Sequence, residues 1–323
     1  MTATLPGQSP QESKLIEAFF PYASKRTFDA INKNIRFVHY TSADVATKII
    51  KFREVWMRKS NCMNDFSEIE HGFGCLDSAF KTHIVRFTSF FDGMFPGFTA
   101  KLEALYNSWL PHMRTDTYIA CMSEHDDSED RIGRLSMWRA YAKSAGIALV
   151  MNNPAFFAPS HALRAYTNPV LYADKKMFAD EFEKVLDALE ASKDLVQGAG
   201  EKAAQNLIFT AFRFATLCTK HPGFHEEREW RIVHSPAFEK SDRLLRDTQT
   251  IEGIPQTIMK IPLKNIPEDG LVGVDVAELV DRVIVGPTQY PGVIYEVFVS
   301  LLAESGLKNA ESRVFISDIP LRT

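Results

Sequence analysis

The chain has 323 residues, 45% hydrophobic and 24% charged, enough apolar material for the core of one elaborated domain or two ordinary ones. A net charge of −4 and a pI near 6.2 exclude a chain coated in base for nonspecific nucleic-acid binding, while leaving room for a local basic groove. There is no apolar run of about 18 residues and no basic segment leading into an apolar one, so neither a membrane span nor a signal peptide is expected.

Residues 1–12, with Pro6, Gly7 and Pro10, read as a loose arm, and residues 13–32 as a short helix interrupted near Pro21. Residues 35–41 alternate and predict a strand. Ser42 then sits as an N-cap before a helix in which Val45/Ile49 and Ala46/Ile50 recur one turn apart, with Asp44 in its first turn. Residues 54–59 predict a second strand, 60–65 a polar loop, and Phe66 the start of a helix. Residues 73–113 are rich in Phe around Gly93, Pro96 and Gly97, which fits helices broken by a turn and packed into the core.

Residues 117–123 predict a strand ending at the acidic turn 124–130, whose consecutive carboxylates read as a solvated face. Residues 131–145 predict a helix stopped by Gly146, and 147–151, wholly apolar, a central strand. A strand at 170–173 and helices at 175–196 and 200–219 follow. The remainder is β-rich at 257–261, 282–286 and 313–317, with a helix near 291–305. The expected fold is α+β: an N-terminal arm and helix over 1–34, then a single domain over 35–323 with helical insertions at about 66–113 and 175–220. Its sheet is expected to be small, mixed or antiparallel, and split.

Several chemistries lack their motifs. There is no G-x-S-x-G elbow, no P-loop, no G-x-G-x-x-G after a strand and no HExxH. The cysteines, Cys62, Cys75, Cys121 and Cys218, form no CxxC, and the spacing of Cys62, His71 and Cys75 does not match structural zinc, so no metal site is expected. They read as reduced thiols of a soluble cytoplasmic protein.

The stretch 225–233, His-Glu-Glu-Arg-Glu-Trp-Arg-Ile-Val, stands apart. Period-two alternation puts Arg228, Trp230 and Ile232 on one side and Glu229, Arg231 and Val233 on the other, so a carboxylate and a guanidinium enter a buried strand. Such charges are costly unless paired or used. Glu227 reads as the solvated neighbour. His39, Thr41, Asn64, Asp65, Ser123, Trp138 and Tyr141 also fall at strand ends or on a helix beside strands, where a sheet can gather them into a composite site.

Taken in order, His39-Tyr-Thr-Ser42, Asn64-Asp-Phe-Ser-Glu68, Ser123-Glu124, Met137-Trp-Arg-Ala-Tyr-Ala142, Glu227-Arg-Glu-Trp-Arg231 and Val283-Ile-Val-Gly-Pro287 resemble a large bacterial family known as a domain of unknown function. A second resemblance is to the ADP-ribosyltransferase layout: His-x-Thr on an early strand and a glutamate on a late one. That resemblance implies an NAD-consuming enzyme, a toxin or phage-defence effector modifying a protein or nucleic acid. A regulatory partner or homo-oligomer is expected beside that target, and no membrane. The same resemblance implies Glu229 as the catalytic carboxylate supporting an oxocarbenium-like transition state, with NAD as substrate held by His39, Thr41, Ser123, Tyr141 and Arg231. Two other functions fit the residues: a magnesium nuclease using Asp65, Glu68 and Glu229, and a binding module in which Glu229 and Arg231 form a structural ion pair.

Overall fold

The computed structural model describes residues 9–62, 67–142, 145–158, 160–251 and 253–320. The chain opens with α1 (Pro10–Phe19) and α2 (Pro21–Asn32). The expected loose arm is in part helix: Ser9 and Glu12 form a capping box around Pro10 at N1, with Ser9 N donating to Glu12 Oε2 at 2.8 Å. Strand β1 (Arg36–Ser42), helix α3 (Ala43–Phe52) and strand β2 (Glu54–Lys59) follow as expected, with the Ser42 hydroxyl accepting from Val45 N. Helices α4 (Ser67–Met94) and α5 (Phe98–Thr115) break at Gly97, which takes the left-handed conformation (φ 75°) that a side chain disfavours.

Then come β3 (Tyr118–His125), α6 (Leu135–Tyr141), β4 (Gly146–Met151), β5 (Tyr166–Pro169) and β6 (Leu171–Tyr172). The helical insertion α7 (Lys175–Ala191), α8 (Lys193–Ala199) and α9 (Glu201–Leu217) leads to β7 (Thr219–Lys220) and β8 (Glu229–His234). The chain closes with β9 (Leu245–Ile251), β10 (Ile254–Pro262), α10 (Val276–Leu279), β11 (Val280–Val285), α11 (Pro291–Glu304) and β12 (Val314–Ile316).

The fold is α+β, built on a mixed sheet of ten strands ordered β12-β11-β4-β1-β3-β2-β10-β9, with β8 and then β5 branching from β3; β6 and β7 make a separate parallel pair. The branch matters. One edge of β3 pairs with β8 from Tyr118 to Ser123. Its other edge is shared: β1 takes Ser123 to His125 and β2 takes Tyr118 and Ile119. Between them, Ala120, Cys121 and Met122 have no strand partner on that edge, so the sheet forks there.

One face of the sheet is covered by α6 over Val38, Tyr40, Ala148 and Ile284, and by α4 and α9 over Ile119 and Val233. The other carries α3 and α11 over Ile147, Leu149 and Val283, and α2 with the segment after β4 over Phe37, Met122 and Trp230. The Phe-rich segment forms the core of the helical layer: Phe87, Phe91 and Phe98 are fully buried with Phe182 of α7 and Phe212 of α9 around them.

Two sequence readings need correction. Helix α6 begins at Leu135, not 131, because Gly133 adopts φ 68° in the preceding turn. Gly146 does not stop that helix; it opens β4. Its lack of a side chain serves packing, since a Cβ there would lie 2.2 Å from the Ala142 Cβ, and one on Gly286 would lie 2.8 Å from the Trp138 indole. Trp138 is thus a core residue, its Nε1 donating to Ile132 O at 2.9 Å.

Candidate functional site

Strand alternation decides which expected site residues can meet. The β1–β3–β8 register aligns Val38, Ser123 and Glu229. Partners across a ladder share a face and sequence neighbours do not. Ser123, Glu229 and Arg231 therefore lie on the face under α4 and α6, and His39 and Thr41 on the opposite one. The single cleft expected to hold all six candidates does not assemble: Ser123, Tyr141, Glu229 and Arg231 gather on one side, His39 and Thr41 on the other.

On the first side lies a buried ion network. Arg231 is 1% exposed. Its Nε donates to Glu229 Oε1 at 2.8 Å, its Nη1 to Leu217 O at 2.6 Å, and its Nη2 to Glu68 in the first turn of α4. The Lys220 ammonium lies 2.6 Å from Glu227, 2.8 Å from Glu68 and 3.3 Å from Glu229. Tyr141 Oη donates to Glu227 at 3.4 Å, and Tyr172 Oη accepts from Glu229 N at 2.7 Å. Glu227 is thus half-buried and paired, not solvated.

Burial by itself would push the Glu229 carboxyl up, but Arg231 and Lys220 hold it at about 2. Burial raises Glu227 despite Lys220, and raises the Cys121 thiol well above its ordinary range. A group whose pKa falls on folding stabilises the protein above its unfolded pKa and loses that contribution as pH drops through the folded value. Stability is expected to fall as pH decreases from about 4.5 towards 2, as Glu229 protonates. Urea midpoints measured across that range check it; a flat profile would deny Glu229 its role. Glu227, raised by burial, has the opposite sign and acts above about 4.5, where its contribution is lost as pH rises.

Lys220, Cys121 and Tyr172 escaped the sequence reading. Lys220 sits on a two-residue strand, which leaves no periodic signal, and it reaches the network only through the fold. Glu68 was expected only as a metal ligand. Here Glu68 and Glu229 meet around the Lys220 ammonium and the Arg231 guanidinium, where a nuclease would need a metal ion. Asn64 and Asp65 lie outside the described residues. Among the described residues no set of three or more His, Cys, Asp or Glu side chains is arranged to hold a metal. His71 Nε2 is instead 2.8 Å from Ala173 O, with the Cys75 thiol at 3.6 Å.

The acidic turn after β3 is a solvated face only in part: Asp126 and Asp127 are exposed, while Glu129 and Asp130 turn inward. Glu129 pairs with Arg134 and Arg228, and Asp130 with Arg36 and Arg282, tying the turn to β1 and β11.

On the opposite side, the fork in the sheet opens into a chamber of about 470 Å³. His39, Met122, Leu149, Phe157, Ile232 and Ile261 are among its walls, and no lysine, arginine, aspartate or glutamate lines it among the described residues. Its size suits a small organic molecule. It offers no cation to a pyrophosphate. The His39 Nδ1 lies 3.0 Å from the Cys121 carbonyl, the group the fork leaves without a ladder partner. His39 thereby satisfies a backbone acceptor that would otherwise be costly to bury. Burial lowers the His39 pKa, only partly countered by the carbonyl bond. Thr41 faces Ile147 and is not among the residues lining the chamber.

Residues 137–232 match the family model of a protein of unknown function (DUF2971). The DUF2971 segment takes in Met137–Ala142 and Glu227–Arg231, and so Tyr141, Lys220, Glu229 and Arg231 of the ion network; the other four pieces quoted from the sequence lie outside it. No curated protein and no solved structure matches the chain, so the ADP-ribosyltransferase resemblance gains no support from either comparison. Among the described residues no helix is long and apolar enough to cross a membrane.

Proposed function

We propose that the protein binds a small, largely apolar molecule in the chamber at the fork of the sheet, with the Glu229–Arg231–Lys220 network serving to lock the fold around it. The observation that carries this reading is an uncharged space of about 470 Å³ bounded by both halves of the sheet. Apolar walls with a few placed polar groups are the usual make-up of a ligand pocket.

The test is titration of the purified protein with a series of alkylbenzenes, followed by native mass spectrometry and thermal unfolding. A ligand at 100 times its Kd is expected to add about 2.7 kcal/mol of stability. Ala120→Phe, which places a ring in the chamber, is expected to abolish that gain while the variant stays folded. Absence of binding by every member of the series, or equal binding to a folded Ala120→Phe protein, overturns the reading.

A second reading keeps the NAD-consuming enzyme, at the charged face. It draws on the meeting there of Ser123, Tyr141, Glu229 and Arg231, beside the half-buried Glu68 and Glu227. It requires Glu229 to leave Arg231 and Lys220 before it can stabilise a developing positive charge. Nicotinamide release from NAD that is lost in Glu229→Gln supports it. No release, or equal release by both proteins, removes it.

A further inference from the structure

Within the chamber, His39 is the ring whose hydrogen-bonding state the fold itself decides. Its Nδ1 lies 3.0 Å from the Cys121 backbone oxygen. A carbonyl oxygen only accepts, so Nδ1 must carry the ring proton. In a neutral imidazole the second nitrogen is then a bare acceptor. No protein group pairs with Nε2 among the described residues, and the His39 side chain forms part of the chamber wall. The ring is held on the sheet side by the carbonyl, which leaves Nε2 as the atom that meets a ligand.

We infer that the chamber selects apolar molecules bearing one hydrogen-bond donor, an alcohol, phenol or N–H heterocycle, whose donor is accepted by His39 Nε2. This rests on the chamber reading above and narrows it. Three observations point the same way. No lysine, arginine, aspartate or glutamate lines the space, so a carboxylate, phosphate or ammonium ligand would find no permanent counter-ion there. The desolvation that depresses the His39 pKa favours the neutral ring, the form in which Nε2 accepts. A purely apolar ligand would leave Nε2 unsatisfied once water is displaced, whereas a donor satisfies it.

The experiment compares a 4-alkylphenol, the alkylbenzene of the same chain length and the 4-alkylbenzoate, by isothermal titration of the full chain. The phenol is expected to bind roughly tenfold more tightly than the hydrocarbon, the factor a single well-made hydrogen bond gives. The benzoate is expected to bind most weakly. In His39→Phe the phenol preference disappears while hydrocarbon binding remains. In His39→Gln it is retained, because the amide N–H can serve Cys121 O while the amide oxygen accepts from the ligand. The 15N signal of Nε2 is expected to move on phenol binding and not on alkylbenzene binding.

The failures are distinguishable. Equal affinity for phenol and hydrocarbon overturns the donor inference and leaves the chamber as an apolar pocket. Tightest binding by the benzoate overturns it in favour of a protonated histidine in the wall, His39 or His161. No binding by any of the three overturns the inference together with the chamber reading on which it rests.

Discussion

Arg231→Met is expected to destabilise the protein by about 3–5 kcal/mol, the cost of removing one partner from a buried ion pair. The guanidinium is nearly inaccessible and donates to Glu229, Glu68 and the Leu217 carbonyl at once. Its loss leaves Glu229 buried with only Lys220, and leaves a backbone acceptor at the end of α9 unpaired. The companion measurement separates a structural network from a catalytic one. Glu229→Leu combined with Arg231→Met removes both charges, and apolar replacement of a complete buried pair is often close to neutral. The double variant is expected to recover in urea unfolding the part of the loss that comes from the unpaired Glu229, while the Leu217 carbonyl stays without its donor. A cost below about 1 kcal/mol for Arg231→Met, the range of exposed pairs, would show that the network opens to water.

Trp230→Ala is expected to cost a similar amount, about 3–5 kcal/mol, by cavity formation in place of charge exposure. Trp230 is fully buried, with Phe37 and Phe157 ring centroids 5.3 and 5.6 Å away, and its indole nitrogen donates to Glu124 at 2.7 Å. Trp230→Phe restores most of the ring and removes the donor, so it isolates the hydrogen bond. Its expected cost is about 1–3 kcal/mol, the penalty for leaving a buried acceptor short of a partner. Arg26 still reaches Glu124, which places the value towards the lower end. Equal losses for the two variants would assign the residue's whole contribution to its nitrogen.

These two residues show what the sequence made legible and what it did not. Alternation along 228–233 assigned Trp230 and Arg231 to opposite faces correctly, because period two is a local property. Placing His39 opposite Glu229 needed the register of β1 against β3 and of β3 against β8, which pairs residues about eighty to over one hundred positions apart. No local pattern carries that information, and an offset of one residue reverses the face. Strand β9 was missed for another reason. It is an edge strand of mostly exposed polar residues, Leu-Arg-Asp-Thr-Gln-Thr-Ile, with charged groups that make edges unattractive for pairing and also hide the strand from a hydrophobic search. The broken Phe-rich helices were legible because Pro96 and Gly97 interrupt a long helical pattern, and their packing into the core follows from the number of rings.

The shared edge of β3 is also where the two parts of the sheet join. Through backbone ladders, the group β12-β11-β4-β1 and the group β2-β10-β9 meet only at this strand, three residues of which lack a neighbour on that edge. Helix α3 also joins the two groups, since it runs from β1 to β2 and packs on both. The chamber lies beside the shared strand and takes its walls from both groups. On the chamber reading, a bound molecule is therefore expected to touch both half-sheets at once and tie one to the other.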